Sequence, residues 1–143
     1  MTMIDTRTAA YAALVLRLSL GVMFIAHALL KLFVFTLPGT AQYFQSLGLP
    51  AVLAYVTFGA ELVGGVLLIL GLHTRAVAAA LIPILIGATW AHAGNGWLFS
   101  APNGGWEFPA FWTVTLAVQT LLGAGAYALD NRRAPALPHL QSA

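Results

Sequence analysis

His27 and Lys31 stand one helical turn apart at the end of a long apolar run. His92 closes a second run and is followed by Asn95, Trp97, Trp106 and Glu107. Imidazole, ammonium, amide and indole groups can all hydrogen-bond a ligand, and an indole offers a flat face for stacking. Counted along their helices at 1.5 Å per residue, His27 lies about 25 Å and His92 about 24 Å from one side of a bilayer. The two imidazoles are therefore expected at the same level. Such a set at the mouth of a helical bundle suits a flat, lipid-soluble molecule with polar ends, and a quinone has that form. Interfacial anchoring is the blander account: Lys31 snorkels to water and the tryptophans form an aromatic belt.

A second constellation lies deeper. Arg17 interrupts the first apolar run and Glu61 sits near the middle of the second. Either ion alone is costly in hydrocarbon, so the economical expectation is an Arg17–Glu61 pair, fixing helix register or serving proton uptake. A haem between His27 and His92 is chemically reasonable in a four-helix bundle. Nothing marks a porphyrin pocket, however, and haem is disfavoured beside quinone. No metal is expected, because only two histidines are well placed and there is no cysteine. No catalytic triad, phosphate loop or dinucleotide fingerprint stands out. Thr115 and Gln119 are expected to hydrogen-bond between helices.

The elements that must position these residues follow from composition. The 143 residues are 60% hydrophobic and 7% charged, against about 25% charged in a soluble domain. The basic residues are scattered, which excludes nucleic acid as a partner. Four apolar segments, about 10–35, 51–72, 76–93 and 108–129, are each of a length to cross a bilayer. Ala26-His27-Ala28 mimics a signal-peptide cleavage site, but Arg17 breaks the apolar core, so the first segment is expected to be retained. Residues 130–143 are polar and proline-broken, and a mobile tail is expected there. Arg7, Arg75, Arg132 and Arg133 would share one side of a four-span chain and Lys31 the other. The positive-inside rule then puts both termini in the cytoplasm. The expected fold is one all-α domain, residues 1–143: a four-helix transmembrane bundle in contact with lipid.

Taken together, Arg17-Leu-Ser-Leu-Gly21, His27-Ala-Leu-Leu-Lys31-Leu, Leu47-Gly-Leu-Pro50, Glu61-Leu-Val-Gly64-Gly65, His92-Ala-Gly-Asn95-Gly-Trp97 and Gly104-Gly-Trp106-Glu107 resemble the DoxX family over about residues 10–130. The resemblance implies a small four-helix protein of the bacterial inner membrane. It also implies kinship with the membrane subunit of thiosulfate:quinone oxidoreductase. It places Arg17, His27, Lys31, Glu61, His92, Asn95, Trp106 and Glu107 at recurrent family positions without assigning their roles. Relatives often carry an acidic residue where this chain has Ala124. With no cysteine to carry a persulfide, thiosulfate chemistry would need a partner subunit. The expected function is that of a quinone-interacting oxidoreductase subunit, with a protein partner or a second copy of the chain. The alternatives are a non-catalytic membrane scaffold and a small-molecule permease.

Overall fold

The computed structural model describes residues 5–132. The described residues are helical and contain no strand. Helix α1 (Thr6–Leu29) begins at Asp5, whose side chain accepts from Arg7 N at 2.9 Å. It runs on through a π-helical turn, Leu30–Val34, closed by Phe35 N donating to Leu30 O at 2.9 Å. Short helix α2 (Leu37–Ser46) is capped by Thr36, which accepts from Gly39 N. Thr40 is buried and donates back to Thr36 O. Helices α3 (Val52–Leu70) and α4 (Thr74–His92) meet at a tight turn around Gly71. A 3₁₀ turn, Ala93–Asn95, and a loop lead to α5 (Glu107–Leu122).

Three helical stretches, Arg7–Val34, Val52–Leu70 and Thr74–Asn95, are long and apolar enough to cross a membrane. The fourth apolar segment was expected to run to residue 129 but stops at Leu122. Gly123 and Gly125 have φ of +84° and +72°, which turn the chain back, and side chains other than glycine rarely adopt such angles. Residues 123–132 fold under the helices instead of prolonging α5. Ala126 N donates to Ala10 O at 2.9 Å, and Asp130 N to Gly71 O at 3.0 Å. Of the expected mobile tail, residues 130–132 form the end of a 3₁₀ turn and residues 133–143 lie outside those described.

Helix α1 packs along α3, α3 on α4, α4 on α5, and α5 returns to α1. The closest approach is made by glycines. A Cβ on Gly21 would stand 2.8 Å from Gly65 O, and one on Gly65 would stand 2.9 Å from Gly21 O, so only bare backbone fits where α1 crosses α3. Gly64, one residue away, faces Leu81 of α4. Leu20, Phe24, Leu68, Leu81, Trp112 and Leu116 fill the interior. Large apolar side chains also cover the outside, among them Val15 and Val22 of α1, Val56 and Val63 of α3, and Phe111 and Leu121 of α5. Arg17, Glu61 and Gln119 are buried at 1%, 4% and 0% exposure. Apolar groups outside with charges inside is the arrangement required by a lipid solvent.

Candidate functional site

Glu61 does not pair with Arg17. Lys31 Nζ donates to Glu61 Oε1 at 2.9 Å and Oε2 at 2.7 Å, and this ion pair ties the π-helical turn to the middle of α3. Arg17 turns the other way. Its Nη1 donates to Leu68 O at 2.8 Å and Ile69 O at 2.6 Å, and its Nη2 to Ala126 O at 3.2 Å. Two physical reasons account for the exchange of partners. Side chains on an α-helix lean toward its N-terminus. On α1 that tilts Arg17 away from Glu61 and Lys31 toward it. The last carbonyls of α3 also lack intrahelical donors and form the negative end of the helix dipole, which attracts a guanidinium. Counting depth from the helix ends misled because α1 overhangs α3: Ala10 packs on residues 125–126, beyond the end of α3.

One helical turn before Lys31, His27 is half-buried between α1 and α5. Its ring lies 4.8 Å from that of Trp112, edge-on, and 6.1 Å from that of Phe108, stacked. Its Nδ1 is 2.9 Å from Met23 O. The sequence reading missed Phe108 and Trp112. They are one turn apart on the first two turns of α5, a spacing that ordinary core packing also produces. Trp112 Nε1 is buried and has no hydrogen-bond partner among the described residues.

His92, the last residue of α4, is held by the loop before α5. Its Nδ1 lies 3.1 Å from Asn103 O and 3.0 Å from Gly104 O. Asn95 Nδ2 donates to the same two carbonyls at 3.1 and 2.9 Å. Gly105 is a required glycine, because a Cβ there would overlap the carbonyls of Trp97 and Leu98. Trp106 N donates to Gly96 O and Glu107 N to Trp97 O, each at 3.1 Å. The two indoles pack edge to face at 4.6 Å. Glu107 accepts from Phe99 N at 2.9 Å, so its carboxylate braces the loop. Residues 104–112 therefore touch both imidazoles, and His27 and His92 sit at the same end of the molecule. Near His92, between α4 and α5, runs an open apolar groove of about 470 Å³ walled by Ile86, Thr89, Trp90, Ala93, Trp106 and Thr113; His27 packs on another side of α5, against Phe108 and Trp112.

The opposite end is closed by backbone contacts. Asp130 accepts from His73 N at 2.9 Å and Thr74 N at 3.2 Å, capping α4 from a distant part of the chain. Arg75 donates to Thr120 O near the end of α5 at 3.0 Å. Among the described residues the expected interhelical bonds of Thr115 and Gln119 are not formed: both side chains bond backbone near them in the chain, Trp112 O and Gly123 O.

The fold and its polar end define a small all-helical protein of the membrane-spanning kind. The chain belongs to the DoxX family, whose profile matches residues 12–94. It is 45% identical over 75 residues to a Bacillus subtilis protein named "Putative oxidoreductase CatD", a match covering 52% of this chain and 54% of the relative. The chain thus spans about half the length of that protein. An uncharacterized protein of Haemophilus influenzae is 35% identical over 119 residues, covering 82% of this chain and 87% of the relative. A second from the same organism is 37% identical over 79 residues, covering 54% and 50%. No solved structure matches.

Proposed function

We propose that this chain is a four-span inner-membrane subunit of an oxidoreductase system, with both termini cytoplasmic and a site for a quinone-type carrier at its outer end. Helix α5, with 16 residues, is roughly 24 Å long at 1.5 Å per residue, enough to span when interfacial aromatics such as Trp106 flank it. The orientation rests on charge. Arg7 and Arg75 lie at the end that Asp130 closes, whereas Lys31 is neutralised by Glu61. The oxidoreductase element has support from the name of the Bacillus subtilis relative.

The observation that carries the reading is that residues 104–112 contact two half-buried imidazoles, His92 through Gly104 and His27 through Phe108 and Trp112, with an apolar groove open to lipid near His92. A carrier's ring would lie among His27, His92 and the indoles, and its apolar tail in the groove between α4 and α5. The bound carrier supplies the electron chemistry. The chain orients it, and the loop from 94 to 107 shields its polar edge.

The experiment is extraction of lipophilic compounds from protein purified in mild detergent, with an optical spectrum. A quinone should be retained. His27→Ala combined with Lys31→Ala should release it, as should His92→Ala, which leaves the Lys31–Glu61 pair intact. Unchanged retention in these variants, or a porphyrin spectrum in place of quinone, overturns the proposal. A scaffold role is favoured by one observation: Lys31 directs two of its three N–H donors at the oxygens of Glu61, as expected of a group that locks register.

A further inference from the structure

We infer that the site takes the reduced, hydroxyl-bearing form of its carrier in preference to the oxidised, carbonyl form. The inference rests on the carrier reading above and deepens it. The argument comes from which nitrogen of each imidazole holds the proton.

His27 Nδ1 faces Met23 O at 2.9 Å, and His92 Nδ1 faces Asn103 O and Gly104 O at 3.1 and 3.0 Å. A carbonyl oxygen can only accept, so in both rings Nδ1 carries the proton. The neutral imidazole has one donor and one acceptor. In both residues the acceptor is therefore Nε2, the ring nitrogen away from the backbone. At His92 the amide nitrogen of Asn95 also approaches Nδ1, at 3.4 Å, but it donates to the two carbonyls at 3.1 and 2.9 Å, and those nearer carbonyls fix the proton on Nδ1.

A ligand group meeting either Nε2 must donate. A quinone carbonyl has no proton to give, whereas a hydroquinone hydroxyl donates to Nε2 and keeps lone pairs for a neighbouring indole N–H. Lys31 is the charged donor of the trio, and its ammonium is directed at both oxygens of Glu61. The charge that would have favoured a carbonyl is thus neutralised by Glu61, and two of its three N–H groups are taken. The arrangement of donors and acceptors matches a hydroquinone.

The test uses the full chain in detergent, under anaerobic conditions, at about pH 8, where imidazole is ordinarily neutral. The probes are a short-chain benzohydroquinone and the corresponding benzoquinone. The hydroquinone should bind about tenfold more tightly, as expected for one additional hydrogen bond to a half-buried acceptor. His27→Asn can keep the bond to Met23 O while removing the acceptor at Nε2, and it should shrink that preference severalfold. Nitrogen-15 spectra of the unaltered protein should show both histidines protonated at Nδ1 and bare at Nε2. Equal or tighter binding of the quinone overturns the inference and leaves the carrier site standing. Protonation at Nε2 in the neutral rings overturns it as well. Binding of neither probe removes the carrier site itself, and the inference with it.

Discussion

Lys31 Nζ lies 2.9 and 2.7 Å from the two carboxylate oxygens of Glu61, joining the π-helical end of α1 to the centre of α3. The pair is a charge compensation within a largely buried contact, with the two side chains 16% and 6% exposed. Removing one partner leaves the other ion stranded. Lys31→Met should destabilise the protein by about 3–5 kcal/mol. Adding Glu61→Gln to Lys31→Met should recover more than half of the loss. Thermal unfolding in detergent decides the matter, and a double variant no more stable than Lys31→Met would contradict the pairing.

Arg17 and Glu61 have different partners, so their substitutions should not interact. Arg17→Gln and Glu61→Gln should combine additively to within about 0.5 kcal/mol in a double-mutant cycle. A coupling well above that would mean that the two charges meet after all. Arg17→Lys should rescue little. An ammonium lacks the planar fork by which the guanidinium reaches Leu68 O, Ile69 O and Ala126 O together.

The glycines divide into two groups by what surrounds them. At Gly21 or Gly65 an added methyl meets the backbone oxygen of the other helix, so Ala at either position should cost about 1–3 kcal/mol. A Cβ on Gly59 or Gly87 meets nothing within 4 Å. Ala there should be neutral or stabilise by up to about 1 kcal/mol through helix propensity. Similar losses at all four positions would argue against the close crossing of α1 and α3.

Asp130 caps α4 across a long sequence separation, accepting from His73 N and Thr74 N. Asp130→Ala should cost about 1–2 kcal/mol, and Asp130→Asn less, because an amide oxygen can still accept. Hydrogen exchange at the first amides of α4 provides the readout. Unchanged protection in Asp130→Ala would discount the cap.

Much of the helical layout can be read from the apolar runs, and the burial of Glu61 follows from its place in one of them. Its partner cannot be read that way. Apolar periodicity contains neither the lean of side chains toward a helix N-terminus nor the overhang of α1 beyond α3. The end of α5 was hidden for a similar reason: the apolar run continues to Leu129, and the break depends on the positive φ of Gly123 and Gly125. Residue counting set His27 and His92 at one level; in the structure His27 packs on Phe108 and Trp112 and His92 on the carbonyls of Asn103 and Gly104. The protonation pattern of the imidazoles was out of reach, because their partners are backbone carbonyls, one of them set by the folding of a loop. Trp112 was passed over because an indole one turn from Phe108 reads as ordinary core.

A ribosome makes this chain from Arg17 toward Ala126, and that order bears on how the molecule is assembled. When α1 and α3 have met, Arg17 can already grip Leu68 and Ile69, yet its other amino group must wait until 109 residues after its own synthesis for Ala126. The first turn of α4 waits in the same way for Asp130. A stretch made after α1, α3, α4 and α5 is thus the one that latches α1. A chain cut off just after Leu122 would hold α1, α3, α4 and α5 and still be unable to shut.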